Sequence, residues 1–449
     1  MDLREGFAVL DRDAGAVVEA TVAPPAGDLW TRGERWRRRR RRGSVAAAAL
    51  GAVLLASLSV LWWQRAAPVA PVVSPGSRPT LPDRVYDVSP WLPVGMPREP
   101  VVAARLAERR TWTGSVPAIA VITGSGRYLH LGAPDLAGQG AVALSSDGRR
   151  LAYWRGGTPN GSPRTSQGRS TPVTGVTVID LVTGGVDSQH FSTEHGLSPD
   201  ALLWADQDTL LLAYGQWRAG DDGDPLLHGS AAGGPALRWD VGGSQGPIEL
   251  SRVPLDGFSE SAEGRLLVGR RLHNLATGDV ERLPVRSGSG AVGSTGSSAF
   301  LRPDGVLAQL GGRGRPDAVP NVVTVSDLDA PAAGQRVVPG VAEAWQVLGW
   351  RGGDLLVTHR RSGSRDLPET QPWQLLAVDT TTGESSVVLR GADSLLGWSW
   401  AEDLLGNAPV VDAVEPPDPL DPRSVVALAT AIVTGTVAGV VIWRRRARP

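Results

Sequence analysis

The sequence predicts an all-β domain of repeated four-stranded units, carried between two transmembrane α-helices. Two uncharged apolar runs near the ends of the 449-residue chain predict the helices. Arginine clusters on the outer flank of each run predict which way they face. Short strand-like segments parted by glycine turns, recurring at an even spacing between the runs, predict the domain.

The first run, Val45–Trp63, holds 19 residues without a charge, and the second, Ser424–Trp443, holds 20. At 1.5 Å of rise per helical residue, either crosses a hydrocarbon core of roughly 30 Å. Arg37, Arg38, Arg39, Arg40, Arg41 and Arg42 precede the first run, and Arg444, Arg445 and Arg446 follow the second. Arginine-rich flanks stay on the cytosolic side. These residues therefore set a two-pass topology in the plasma membrane, with both termini cytosolic and the central domain extracytoplasmic. The first run reads as a retained helix and not a cleaved signal. Trp62, Trp63 and Arg65 form an interfacial anchor, and no small-x-small cleavage site stands out after it.

A net charge of −1 conceals an uneven distribution. Residues 1–44 carry +3 and the tail after Trp443 carries +4, which leaves −8 on the remainder. An arginine run beside an apolar span holds anionic lipid headgroups, at about 1 kcal/mol per residue. Membrane lipid is accordingly an expected partner and nucleic acid is not. The chain has no cysteine, which excludes a disulfide framework and a Cys-ligated zinc site. A domain of this size buries an adequate core without such staples.

Along the chain, residues 1–44 read as a cytosolic amphipathic helix and basic segment. Asp2 and Glu5 have capping-box spacing. Leu3, Phe7, Leu10 and Val17 recur on one helical face, with Ala14 among them. A lone amphipathic helix has no core to join, so this face is a candidate partner-binding surface, and its acidic opposite face favours a protein over anionic lipid. After the span at 45–63, residues 64–84 form a Pro-rich extracytoplasmic linker. The β domain covers 85–411, with Val101–Arg110 as the one stretch that suits a long helix. A second linker, 412–423, leads into the span at 424–443 and the basic tail 444–449. In that second span Ala427, Ala431, Gly435 and Gly439 fall at four-residue intervals, a candidate transmembrane packing face.

The strands repeat. Ala141–Trp154 reads as two strands about an Asp147-Gly148 turn, a dipeptide suited to the tight hairpin in which both turn residues take positive φ. Leu203–Tyr214, Phe258–Val268, Phe300–Leu310 and Leu348–Val357 repeat the pattern, and each is followed by a second hairpin. Thr-Gly pairs begin at Thr183, Thr277 and Thr382, intervals of two units each. Four-stranded repeats of about 40–50 residues are the signature of β-propeller blades, which stack sheet on sheet to bury faces that no single blade can cover. With an opening unit at Ile119–Leu131 and a closing strand in Leu395–Leu404, the expectation is about six blades, five or seven being the alternatives.

Ser145–Tyr153 (SSDGRRLAY) and, in part, Phe300–Leu310 (FLRPDGVLAQL) resemble the WD-type and Tol-like propeller repeats. The overall layout resembles membrane-anchored propeller regulators of actinobacteria, some of them similar to anti-sigma factors. The cytosolic head lacks the His/Cys motif of zinc-associated anti-sigma factors, which sets it apart from that class.

Motifs with literal matches to catalytic or cofactor patterns lack their context. Gly288–Gly293 fits a dinucleotide string without a strand before it or a helix after it, and Gly242–Gly246 fits a serine-hydrolase elbow without a strand-to-helix turn. Asp221, Asp222 and Asp224 flank Gly223 without the further ligands calcium needs. The six histidines show no metal-ligand spacing. Trp154, Trp204, Trp350, Trp398 and Trp400 read as packing between blades. No catalytic, cofactor or metal residue is expected. The reading that follows is a non-catalytic envelope protein, whose propeller binds a ligand or protein partner and reports through the cytosolic helix. The alternatives are an envelope enzyme, hydrolase or dehydrogenase, with an axial active site that linear spacing cannot show, and a structural subunit of an envelope complex.

Overall fold

Short apolar runs closed by glycine turns build the described part of the chain almost entirely from antiparallel hairpins. The computed structural model describes residue 30 and residues 78–161, 171–217, 236–250, 260–262, 264–268, 271–282, 299–302, 304–311, 322–328, 334–341, 344–359, 373–391, 395, 397–416, 419 and 421–446. Residues 70–419 form one unit, and residues 1–69 with 420–449 form another.

In the first unit, β1 (Leu81–Pro82), β2 (Arg84–Val85) and β3 (Val94–Gly95) are two-residue edge pieces. The first sheet follows with β4 (Val101–Thr111), β5 (Gly114–Thr123) and β6 (Tyr128–Leu131). The second sheet is β7 (Val142–Leu144), β8 (Arg150–Gly156), β9 (Val173–Asp180) and β10 (Val186–His190). The third is β11 (Leu197–Trp204), β12 (Thr209–Gln216), β13 (Ala236–Asp240) and β14 (Ile248–Leu250), tied to the second by one residue pair, Leu197 with Val173. The fourth is β15 (Glu260–Ala262), β16 (Arg265–Val268), β17 (Arg271–Asn274) and β18 (Val280–Arg282). The fifth is β19 (Ala299–Leu301), β20 (Val306–Gly311), β21 (Val322–Asp327) and β22 (Arg336–Val337). The sixth is β23 (Ala344–Arg351), β24 (Asp354–His359), β25 (Trp373–Val378) and β26 (Ser385–Gly391), with β2 added in parallel to its outer edge. Far along the chain, β27 (Ser399–Trp400) returns to pair with β4 and gives the first sheet its fourth antiparallel strand. A short helix, α1 (Glu402–Asn407), follows at once, and β28 (Val410–Val411) pairs in parallel with β1.

The first strands of successive sheets touch in order. β27 and β4 meet β7, β7 meets β11, β11 meets β15, β15 meets β19, β19 meets β23, and α1 packs on β23. Apolar faces of neighbouring sheets fill the spaces between them. Ile119, Val121 and Leu131 of the first sheet share a core with Leu151, Tyr153 and Ile179 of the second, and Leu356, Trp373 and Leu375 of the sixth join that same core. Each fully buried Leu or Ile of this kind contributes about 1.5–3 kcal/mol.

Strand direction sorts the connections into two rims. Those from first to second and from third to fourth strand are short at one rim: 145–149, 181–185, 205–208, 275–279 and 379–384 among them. The long ones, 157–172, 217–235, 283–298, 312–321 and 360–372, all join strand ends at the opposite rim.

The all-β expectation for the central region holds, with corrections of detail. Val101–Arg110 is not a helix but most of β4. It pairs with β5 from Val101 to Thr111, and its buried Val101–Ala104 start lies in the first sheet's core. Helical spacing here lost to tertiary pairing. The Asp147-Gly148 turn is also not the two-residue hairpin. Only Gly148 has positive φ, at 71°; its N–H donates to Ser145 O at 2.8 Å, and the Ser145 N–H donates to Arg150 O at 2.9 Å. Leu395–Leu404 closes the first sheet through only two strand residues before turning into α1.

In the second unit, α2 (Pro422–Arg446) begins where Asp421 Oδ1 accepts the Arg423 N–H at 2.8 Å. Thr430 and Thr434 turn their hydroxyls back onto the carbonyls of Val426 and Thr430, both at 2.8 Å. Val426, Leu428, Ile432 and Ile442 are exposed on it. Among the described residues, no helix is long and apolar enough to cross a membrane; several side chains of α2 lie outside the description, as does the whole run Val45–Trp63.

Candidate functional site

The described site grows out of the closing segment. After Trp400 the chain leaves β27, and the Ala401 N–H donates to Val102 O at 2.9 Å. The N–H groups of Leu404 and Leu405 both return to Ala401 O, at 3.0 and 2.9 Å, and wind α1. Buried Leu404 and Leu405 anchor the helix inward. Arg351, at the end of β23 in the sixth sheet, clamps its far end: Nη1 donates to Leu405 O at 2.7 Å and Nη2 to Ala408 O at 2.8 Å. Gly406 lies so close to this strand that a Cβ there would stand 2.8 Å from Trp350 O.

The turn of the second sheet holds the other side. Ser146 Oγ donates to Asp403 Oδ2 at 3.0 Å, and the Asp403 N–H donates to Ser146 O at 3.0 Å. Ser145 Oγ donates to Asp147 Oδ1 at 2.7 Å and accepts the Arg150 N–H at 2.9 Å. Gly148 must be glycine. Besides its positive φ, a Cβ would fall 2.1 Å from Val101 O.

Between these two clamps stands Glu402. Protein surrounds it, and burial pushes its carboxyl up to about 8, with the neighbouring Asp403 charge adding to the rise. Part of the residue nonetheless remains accessible. No hydrogen bond to the Glu402 carboxyl is found among the described residues. Desolvation without a compensating partner is what keeps a carboxyl neutral near pH 7, and strongly displaced groups of this kind concentrate at working sites.

Tryptophans end the inner strands on the same rim. Trp204 Nε1 donates to Ala143 O of the preceding sheet at 3.0 Å. Trp350 Nε1 and Trp400 Nε1 find no acceptor among the described residues. The Arg302 guanidinium lies 4.5 Å from the Trp350 ring centre and also pairs with Asp304 at 2.6 Å, whose carboxyl it holds below the usual carboxylate range. Trp154, Trp398 and Trp400 are buried as packing residues, while Trp204 and Trp350 are half-buried.

The other residues singled out from sequence do not gather here. The stripe Leu3, Phe7, Leu10 and Val17 and the run Arg37–Arg42 lie outside the described residues, as do Asp221–Asp224 and Gly288–Gly293. Ala427, Ala431, Gly435 and Gly439 are exposed on α2, where a Cβ at Gly435 or Gly439 would meet nothing within 4 Å. Arg444, Arg445 and Arg446 close that helix. Gly242 sits in the turn from β13 to β14 with φ at 81°, a hairpin turn and not a nucleophile elbow. His130 and His273 are buried, and burial holds both imidazoles below their ordinary range. Among the described residues no group of His, Asp and Glu is placed to hold a metal ion. Glu402 was missed because Leu395–Leu404 reads as strand throughout. The available signal was the Glu402-Asp403 pair two residues past a strand-end Trp, where the other repeats turn.

No protein-family model matches the chain, and no curated protein matches it. Solved structures do. A Bacteroides fragilis protein provisionally named a 6-phosphogluconolactonase is 14% identical, with a TM-score of 0.33, over 64% of this chain and 93% of its own. The acylaminoacyl peptidase of Pyrococcus horikoshii is 13% identical, with a TM-score of 0.38, over 66% of this chain and 48% of its own. A Xanthomonas campestris xyloglucanase is 15% identical, with a TM-score of 0.34, over 66% of this chain and 46% of its own. The chain thus spans about half the length of the last two. Likeness at this level concerns the arrangement of sheets, and none of the three lends this chain a substrate. None bears on an actinobacterial or anti-sigma layout either. The expectation of a non-catalytic binding and reporting protein is nevertheless corrected. The proteins it resembles carry enzyme names, and the closing segment holds a carboxyl with displaced acidity that the sequence reading did not contain.

Proposed function

We propose that the chain is a membrane-anchored enzyme of the cell envelope, of hydrolase type, built on a six-bladed β-propeller with Glu402 as general acid and base in its axial recess. One observation carries the reading: a carboxyl pushed up to about 8, on a partly accessible residue and without a hydrogen bond among the described residues. Such a group donates its proton to a leaving oxygen or nitrogen as the bond to carbon breaks. As carboxylate it then takes a proton from the attacking water. Acid–base assistance of this kind is worth about 10²–10⁴-fold. Asp403, fixed by Ser146, adds to the rise of its neighbour's pKa toward the working range.

The propeller supports this placement. Six four-stranded sheets succeed one another through their first strands, and β27 completes the first sheet from the far end of the domain. In this reading Glu402 stands just past the end of an innermost strand, β27. The membrane anchoring is supported by the two uncharged runs, their arginine flanks and the exposed apolar residues of α2. In this reading the packing stripe of α2 meets a second helix, and the Leu3/Phe7/Leu10/Val17 stripe meets a cytosolic protein.

The test uses the full chain in lipid nanodiscs against chromogenic esters, lactones, anilides and glycosides. At least one class is expected to turn over, with kcat falling about 100-fold or more in Glu402→Gln and KM little changed. Equal turnover by both proteins overturns the assignment. Topology is tested separately. The chain has no cysteine, so Thr113→Cys is expected to react with an impermeant maleimide in intact cells, while a cysteine appended after Pro449 stays protected until the cells are lysed.

A further inference from the structure

The strands nearest the two linkers grip each other across one seam of the domain. Thr80 donates both its N–H and its Oγ1 to Gly124 O in the first sheet, at 2.8 and 2.7 Å. The Leu81 N–H donates to Pro409 O at 2.9 Å, and the Asp83 N–H to Val411 O at 2.8 Å. Asp83 then reaches in two directions. Its carbonyl accepts the Arg390 N–H of the sixth sheet at 2.9 Å, and its Oδ1 accepts the Ala413 N–H at 2.8 Å. The Tyr86 N–H donates to Tyr128 Oη at 3.0 Å, back in the first sheet. Residues 80–86 therefore stitch the first sheet to the sixth, and 409–413 lie along the stitch. Leu81 is fully buried beneath it.

What this stitch secures is the segment that carries Glu402. β27 contributes only two paired residues, Ser399 with Ala104 and Trp400 with Ala103. A strand so short holds weakly by itself. Glu402 follows two residues after β27, and Val410 three residues after α1. The closing segment is thus pinned at one end by a two-residue strand and at the other by β28 on β1.

We propose that paired β1 and β28 are a clasp through which the two linkers govern the closing segment that carries Glu402: held together they keep β27 and α1 seated, and drawn apart they release them. The consequence for catalysis rests on the reading of Glu402 given above; the mechanical coupling does not. Local opening of this kind is a low-stability unit inside a stable fold.

Hydrogen exchange on the full chain in nanodiscs tests it. Thr80→Ala with Asp83→Ala removes two side-chain bonds of the clasp and leaves Glu402 and its neighbours intact. Amides of Ala401, Asp403, Leu404, Leu405 and Ala408 are expected to exchange at least tenfold faster, while Leu211 in β12 and Leu355 in β24 keep their rates. Adding Leu81→Cys with Val410→Cys, and oxidising the pair, is expected to restore protection to 401–408, and reduction to remove it. Unchanged exchange at 401–408, an equal rise at Leu211 and Leu355, or no recovery on cross-linking each overturns the proposal. Exchange is read without turnover, so the clasp stands or falls independently of whether Glu402→Gln alters a reaction.

Discussion

Replacing Glu402 by glutamine should change how stability depends on pH. Burial takes the carboxyl from an ordinary 4.5 up to about 8. Between those values the folded chain holds a proton that the unfolded chain has lost, so folding grows weaker as pH rises. Below 4.5 both states are protonated and nothing is lost; above 8 the loss is complete. Each pH unit in the window is worth about 1.4 kcal/mol, which in a fully dry site comes to roughly 5 kcal/mol. Water reaching the accessible side of the carboxyl and relaxation around it reduce this to about 1–3 kcal/mol. Glutamine keeps the shape and never ionises. Thermal unfolding of both proteins, followed by tryptophan fluorescence at pH 5 and pH 8, should show Glu402→Gln gaining on the native chain at the higher pH by roughly 2–6 °C. Parallel pH profiles would mean that Glu402 is solvated like any surface carboxyl and would refute its displaced acidity.

Other outcomes follow from geometry described above. Gly148→Ala meets both positive φ and Val101 O at 2.1 Å, and should cost ~3 kcal/mol or more in urea unfolding, whereas Gly278→Ala, with φ at 74° and open space, should cost about 1–2 kcal/mol. Trp204→Phe strands the Ala143 carbonyl and should destabilise by about 1 kcal/mol more than Trp400→Phe, whose indole N–H has no acceptor among the described residues. Asp180 is pushed up by burial, but N–H groups of Thr183 and Val182 outweigh this and hold its carboxyl below the usual 3.8. The charged part of its contribution is present above that pH and is lost on acidification, so Asp180→Ala should cost about 1 kcal/mol at pH 7 and less at pH 2, where the neutral carboxyl still accepts the two N–H groups; Asp180→Asn, which keeps a neutral acceptor, should cost less than Asp180→Ala at pH 7 when both are followed by chemical denaturation.

The repeat was legible because its turns are made locally. In Asp180–Gly184, Asn274–Gly278 and Asp379–Gly383 the side-chain Oδ1 accepts two following N–H groups, and a glycine with positive φ closes each turn. Those interactions span five residues, so the sequence displays them as a Thr-Gly rhythm. The fate of Val101–Arg110 was not legible in that way, since a strand partner and not local spacing decided it. Glu402 was hidden for a related reason. Its acidity depends on burial and on the Asp403 charge, and the segment that buries it is held by Ser146 and Arg351, residues of two different sheets that meet only when the first sheet is completed. Acid–base character in this chain comes from assembly, and no window along the sequence contains it.

The two rims of the domain live under different rules. Where β-hairpins turn in four to six residues, side-chain and backbone hydrogen bonds close the turns at 145–149, 180–184 and 379–383, and an inserted residue would break them. At the far rim the strands are joined by the longer connections 157–172, 217–235, 283–298, 312–321 and 360–372, and lengthening such a connection adds only slowly to its cost. Relatives of this protein can therefore diverge widely in what they touch at that rim while inheriting an unaltered closure at the other.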